Sequence, residues 1–475
     1  MLKKVSFVAV CLVIVAASLY RFGGWRLRLD GSGVWPRFLM RVSDDEALEA
    51  DRARQRDRPL PPTAAASPAL GRAVSEPSGA APSGPGTAPR GDWPDFRGRN
   101  RDGRYLETPI RTNWPAEGLP RLWRQPIGLG YASFVVAEGR AFTIEQRRRQ
   151  EVVAAYDVET GRELWAHAWE GEFVEGLGGD GPRATPTYHD GRIYALGALG
   201  ELRCLNAGTG ALVWRRNILT ENGAPNLPWG MSAAPLVVDD SVIVLPGGPA
   251  GRSVVAYNKI TGEPVWGALD DQQAYTSPML VTLAGARQIL VVSASRAMGL
   301  TTDGGRLLWE HPWSTNMGIS VAQPLLLGGD RVFLSAGYGH GAAVIEVSRS
   351  GDRFAARMVW ENLRMKNKFT SSVLHQGQIY GLDESILACV DAATGDLKWK
   401  AGRYGYGQIV LAGDHLVVLT EDGQLALVRA TPERHDEIAK FQAIEGKTWN
   451  HPVIADGRLL VRNLREMAAF DLRPH

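Results

Sequence analysis

CVDAATGDLKW, residues 389–399, is written again along the chain as AYDVETGRELW (155–165), CLNAGTGALVW (204–214), AYNKITGEPVW (256–266) and GLTTDGGRLLW (299–309). Each copy is an apolar strand end, a polar turn closed by Gly, three variable residues and a Trp. The turn glycines are Gly161, Gly210, Gly262, Gly305 and Gly395, with a looser copy at Gly351 whose Trp is delayed to Trp360. Successive gaps of 49, 52, 43, 46 and 44 residues, filled with short strand patterns, predict a radial array of small β-sheets.

The 475 residues fit one such array as a single unit. A net charge of +2 gives no nucleic-acid footprint, and three cysteines make no disulfide scaffold. Cys204 and Cys389 occupy the same repeat position, six residues before the turn Gly, where other copies carry Ala or Gly. They read as small core fillers.

Lys3 and Lys4 precede an apolar run, Val5 to Tyr20, ended by Arg21. The run reads as a signal peptide or as an uncleaved anchor with the array outside the cytoplasm. The arginines that follow it (Arg21, Arg26, Arg28, Arg37 and Arg41) fit the opposite orientation, since positive charge prefers the cytoplasm. Between Pro59 and Arg90, Pro, Ala, Ser and Gly supply 24 of 32 residues, a composition expected to remain a solvated spacer. The expected domains are therefore 1–21 (anchor or signal), 22–92 (juxtamembrane and Pro/Ala-rich linker) and 93–475 (the array).

Eight inner hairpins can be read from ASFVVAEGRAFTI (132–144) to NHPVIADGRLLVR (450–462), with turns such as Asp190-Gly191 and Asp456-Gly457 that suit two-residue connections. The seventh repeat has lost its Trp turn (TPERHDEIAKFQ, 431–442). The eighth runs out of chain at MAAFDL (467–472), one strand short. LPRLWRQPI (119–127) carries Trp123 and has no sheet of its own. It is the expected closing strand, and closure removes exposed sheet edges. The fold expected is an all-β, eight-bladed β-propeller closed by its N-terminal strand, with WPDFRGRNRDG (93–103) as a lead-in packed on the ring.

The A-x-D-x-x-T-G-x-x-x-W pattern resembles the tryptophan-docking motif of the pyrroloquinoline quinone (PQQ) β-propeller repeat family. The resemblance covers nearly all of 93–475. One branch implies dehydrogenases that act on alcohols or sugars with PQQ and calcium. Another implies non-enzymatic propellers such as the outer-membrane barrel-assembly factor B. The lead-in, with GDGPRATPT (179–187), also looks like a bacterial PQQ-like group. Here no two cysteines are adjacent, as the dehydrogenase pattern would have them, and no C-x-x-C-H signals a fused haem. A lipid-attachment cysteine, expected of the assembly-factor branch, is also missing. The reading that follows is an envelope-facing, membrane-tethered binding or scaffolding module without cofactor. Its partner would be an envelope protein or peptide segment, and the propeller would be monomeric. The alternative is a PQQ- and calcium-dependent oxidoreductase.

Three residues before the recurring Pro of each inner strand, or its replacement, stand Tyr131, Arg183, Ser232, Tyr275, Val321, Phe369, Tyr406 and Trp449. Five of eight are aromatic, where an 8% composition predicts fewer than one. As a ring at the channel mouth, Tyr131, Arg183, Tyr275, Phe369, Tyr406 and Trp449 would hold a ligand by stacking, with Arg183 meeting a carboxylate. As wedges between blades they would be core. No metal-ligand spacing is present. Lys366, Lys368, the Gly-rich stretch 176–181, His340 and Arg147 to Arg149 all read as solvated loops or turns.

Overall fold

The computed structural model describes residues 25–29, 36–40, 44–57, 91–315 and 317–474. Residues 1–21 and 59–90, expected as anchor and spacer, lie outside them. Among the described residues no helix is long and apolar enough to cross a membrane. Within 22–92 there is a two-stranded hairpin, Trp25–Leu29 with Pro36–Met40, and one helix, α1, Asp44–Arg56.

Eight antiparallel sheets follow, spanning 135–170, 187–217, 236–268, 279–312, 325–362, 373–403, 408–442 and 453–471. The eighth has only three strands of its own. Its fourth is Arg121–Pro126, antiparallel to Glu466–Asp471, so the N-terminal strand closes the ring as expected. Asp190 and Gly191 both take positive φ (46° and 72°), the requirement of a two-residue hairpin turn whose twist matches its strands.

The repeat explains itself in cross-strand pairs. Each Trp stands opposite the residue six before the turn Gly: Ala155 faces Trp165, Cys204 faces Trp214, Ala256 faces Trp266 and Cys389 faces Trp399. In these copies that position is small, while in the looser copy Val344 faces Trp360. At Gly299 even a methyl group would come within 2.3 Å of the Trp309 indole nitrogen. Cys204 and Cys389 are fillers of this site, fully buried, and burial pushes their thiols up to about 12 and 11.

The indole then reaches the next blade. Trp165 lies over Gly210, where a Cβ would stand 2.6 Å from the ring, and its Nε1 donates to the carbonyl of Ala207 at 3.0 Å. Trp214 repeats this on Gly262 and Lys259 (3.1 Å), and Trp123 of the closing strand on Gly161 and Val158 (2.8 Å). Trp360 does so on Gly395 and Ala392 (3.1 Å). Towards the degenerate seventh blade, Trp399 of blade 6 still donates to Thr431 (2.8 Å), and His435 packs edge-on against its ring.

The lead-in does more than pack on the ring. It enters the channel at the end opposite the loops that precede the inner strands. Trp93 bridges Val136 of blade 1, and Arg104–Tyr105 pairs in parallel with the inner strand Gln408–Ala412 of blade 7. Arg97 and Arg101, 1% and 2% exposed, donate to inner-strand carbonyls. Arg97 reaches Ser371 and Ser372 at 3.3 and 2.8 Å; Arg101 reaches Ala234 and Pro278 at 3.2 and 2.6 Å. Asp95 neutralises Arg101 at 2.7 Å. One end of the channel is thereby stoppered.

Truncating Trp165 to Ala removes a buried ring, its hydrogen bond and its cover over Gly210. It is expected to cost about 3–5 kcal/mol in urea unfolding, against about 1 kcal/mol for Trp165→Phe, which loses chiefly the Nε1 donor. A loss below about 1 kcal/mol for the Ala variant would show that the indole does not join the blades.

Candidate functional site

At the open end, the stretch leading into each inner strand brings one side chain to the channel mouth. The eight residues singled out at that repeat position are all half-buried, between core and solvent. Seven of them, Tyr131, Arg183, Ser232, Tyr275, Val321, Phe369 and Trp449, line one cavity of about 330 Å³. Tyr406 sits behind Phe369, with ring centres 5.4 Å apart. Stacking continues through Phe369 and Trp449 (4.6 Å) to Trp449 and Tyr131 (5.3 Å), while Trp229 and Tyr275 pair at 5.7 Å on another part of the wall. These rings border the cavity, and their stacking also joins the entries of blades 6, 7, 8 and 1 to one another.

Three cations rest on these rings. Arg183 lies over Phe173 and Tyr131, at 4.6 and 5.6 Å. The Lys368 ammonium lies within 4.6 Å of the Tyr406 centroid and 5.2 Å of both Phe369 and Tyr338, and Lys447 lies 3.9 Å over Trp449. Lys368 is thus a cavity residue, where the sequence pointed to a solvated loop. The Gly-rich stretch is likewise held in place. Gly179 and Gly181 offer their carbonyls to Arg183, and Gly178 offers its own to Tyr131 Oη (2.5 Å) and Lys447 (3.0 Å). Its carbonyls face cations, the reverse of a phosphate cradle. His340 is half-buried, edge-on to Trp313 at 4.5 Å.

One layer deeper runs a polar ring that the reading of the sequence missed: Ser133, Thr185, Ala234, Ser277, Gln323, Ser371, Gln408 and His451, each one residue before the Pro position. Its side chains accept from the neighbouring blade's backbone. The N–H of Ser133 donates to Thr185 Oγ1 (2.9 Å), that of Ala234 to Ser277 Oγ (2.9 Å) and that of Gln323 to Ser371 Oγ (2.9 Å). The same alignment that revealed the aromatic ring carries this one, two residues on.

Phe96 of the lead-in and His451 form the floor. His451 packs against Phe96 and Trp93 at 6.0 and 6.4 Å, and neither ring nitrogen makes a hydrogen bond of normal geometry. Burial, reinforced by the Arg97 charge, holds its imidazole well below the ordinary 6.5. Burial pushes the phenols of Tyr275 and Tyr338 up to about 12, so both remain neutral donors.

The lining suits a flat or apolar group that carries negative charge. It does not suit a PQQ–calcium centre. Calcium takes about six to eight oxygen ligands, with carboxylates prominent among them. No Asp or Glu lines the cavity, and among the described residues no three His, Cys, Asp or Glu gather where a metal ion could be held. Glu421, at the rim, is taken up by Trp449 Nε1 (2.9 Å) and the Tyr406 N–H (3.2 Å).

The family model described as outer membrane protein assembly factor BamB matches residues 149–401. The chain belongs to this family. It is similar to the BamB proteins of Burkholderia pseudomallei (24% identity over 368 residues, 68% of this chain and 91% of the other) and of Bordetella pertussis (22% over 387 residues, 69% and 92%). Among solved structures, BamB from Moraxella catarrhalis superposes with a TM-score of 0.53 at 15% identity, covering 75% of this chain and 98% of that one. The quinohemoprotein alcohol dehydrogenase ADHIIG from Pseudomonas putida gives 0.55 at 13% identity, covering 80% of each chain. Both structures share the propeller, and at these identities that is what the likeness shows. In this BamB-family propeller the chemistry has to be read from the cavity itself.

Two measurements test the cavity. Tyr275→Ala and Trp449→Ala, which face it, are each expected to cost less than about 2 kcal/mol in urea unfolding, while Phe142→Ala in the closed core costs about 3–5. A cost for the first two equal to that of Phe142 would make them core.

For His451, the unfolded chain takes up a proton as the pH falls through about 6.5 and the folded chain does not. Its contribution is therefore complete above that range and is lost below it. Glu151, whose carboxyl burial raises to about 7, acts in the opposite sense, since its folded form gains the proton first. The comparison is accordingly made with a variant. Between about pH 6.5 and 5, wild type is expected to lose up to about 1.4 kcal/mol per pH unit more than His451→Gln. Parallel curves would show that His451 titrates normally.

Proposed function

We propose that this chain is a non-enzymatic binding module of the bacterial cell envelope that serves outer-membrane protein assembly. It is tethered through its N-terminal apolar run, and its channel mouth holds an extended segment of a partner protein. The observation that carries the reading is the cavity: a blind pocket walled by aromatic rings, with Arg183 and Lys368 in its lining and no carboxylate among its lining residues. Such a wall offers stacking area and positive charge to an apolar or acidic segment, and it has no carboxylate to take a proton from a substrate. The names of the Burkholderia and Bordetella relatives supply the assembly role, and the apolar run Val5–Tyr20 supplies the tether.

In the bacterium that makes this chain, its loss is expected to lower the amount of folded outer-membrane β-barrel protein, read as heat-modifiable bands on immunoblots. Lys368→Ala with Trp449→Ala should reproduce most of that loss at normal protein levels. Purified protein supplied with PQQ and calcium should oxidise primary alcohols or aldoses in a dye-linked assay no faster than a heat-killed control. Unchanged barrel assembly on deletion, or turnover abolished by a chelator, would overturn the reading.

A further inference from the structure

The place where the ring closes carries an element that no other seam has among the described residues. Helix α1 lies across the outer strands of blades 8 and 1 and touches both. Arg52, fully buried, donates to the carbonyl of Pro126 in the closing strand. The same guanidinium lies 5.1 Å over the Tyr156 ring of blade 1 and 3.9 Å from the Glu163 carboxylate. Gln55 accepts from the Glu163 N–H at 2.9 Å and reaches Gln125 of the closing strand at 3.5 Å. Arg56 pairs with Glu163 as well, and Glu49 receives Arg147 at 3.3 Å.

Glu163 is the keystone. Its side chain is 0% exposed although it begins an outermost strand, and Arg147, Arg52 and Arg56 surround it. Two of those three cations come from the helix. A buried carboxylate deprived of its partners is costly. The contact is nevertheless polar: Leu48 is the one large apolar side chain that the described part of the helix buries. A joint made of ion pairs weakens with salt, as one made of leucines would not.

The helix also changes which part of the chain bears load. The described residues on either side of 58–90 are Asp57, at the end of α1, and Gly91, whose N–H donates to Glu107 of the propeller at 3.0 Å. Both ends of that stretch are fixed to the same body.

We propose that α1 is a charge-held latch that fastens the chain before it to the closing strand and blade 1, so that load from residues 1–43 reaches the ring through α1 and not through the Pro/Ala-rich stretch. The latch stands on its own contacts; its consequence for membrane distance rests on the tethering proposed above.

The test cuts the loop. A protease site inserted between Ala80 and Ala81 of the full chain is cleaved in detergent, and the products are run on a sizing column. The N-terminal fragment is expected to co-elute with the propeller at physiological salt and to separate in molar salt. In Glu163→Gln, or in the milder Arg56→Ala should Glu163→Gln misfold, at least about tenfold less fragment is expected to be recovered with the propeller. Separation of the uncut-sequence fragment at physiological salt, or undiminished co-elution in both variants, would overturn the latch. The same cut made on vesicle-bound protein should leave the propeller floating with the vesicles. If the uncut chain does not float, the tethering reading fails, while the column still decides the latch.

Discussion

Five of the eight blade-to-blade joints are an indole laid over a turn glycine of the next blade, and the joint that closes the ring, from blade 8 to blade 1, is one of them. The three strands that blade 8 draws from 453–471 contain no Trp. Trp123, borrowed from the start of the domain, takes the position, with Ala469 opposite it and Gly161 beneath it. Much else follows from that loan. Because the first strand is outermost in blade 8, the lead-in before it is free to run through the channel, where Arg97 and Arg101 meet carbonyls that would otherwise face an unfilled bore. The stopper they form gives the mouth a floor. The same closure holds the strand Arg121–Pro126 to Glu466–Asp471 by non-covalent contacts alone, and helix α1 lies against that closing strand and blade 1.

Most of the architecture was legible because a propeller turns sequence period into position on a circle. Residues at one repeat position stand at one height around one axis. The Trp, the small residue opposite it and the turn Gly are mutually required by contact, so each copy announces itself. Cys204 and Cys389 could be read as fillers from the Ala and Gly at the equivalent sites. The orphan strand at 121–126 followed from counting strands. The aromatic excess three residues before the Pro placed a ring at the mouth, and seven of its eight positions do line the cavity.

What stayed hidden has two physical causes. Lys447, Trp229 and Tyr338 lie on connections of unequal length that share no repeat position, so only folding brings them together. Long side chains also travel. Lys368 and Arg147 look like solvated charges in sequence, yet the aliphatic stem of each carries its head away from the loop tip, Lys368 onto Tyr406 and Arg147 into the Glu145 and Glu163 carboxylates. The polar ring through Ser133, Ser277 and Ser371 had a clear signature, but Ser and Thr ahead of Pro also read as ordinary turn residues. Helix α1, at Asp44–Arg56, carries one buried leucine and no apolar stripe, so periodicity gives no sign of it.

The cavity is graded with depth, and the grading constrains what can enter it. At the rim the cations are already satisfied by ring faces, so an acidic group arriving there competes with cation–π contacts worth about 0.5–2 kcal/mol each. Rim binding on charge alone is therefore weak, and an occupant gains most by stacking as well. One layer down, the Ser, Thr and Gln side chains are engaged by backbone N–H groups of the neighbouring blade, so that ring holds the blades in register and offers little to a ligand. At the floor the terms reverse. His451 is neutral, buried and without a hydrogen bond. An occupant that reaches it with a donor or acceptor relieves an existing desolvation cost, while one that ends in a methyl group leaves that cost in place. Discrimination among occupants of similar bulk thus falls to the floor, and attraction to the rim. The dehydrogenase that shares this propeller shares neither layer by virtue of the fold, which fixes where a channel lies and leaves its chemistry to the side chains that each repeat contributes.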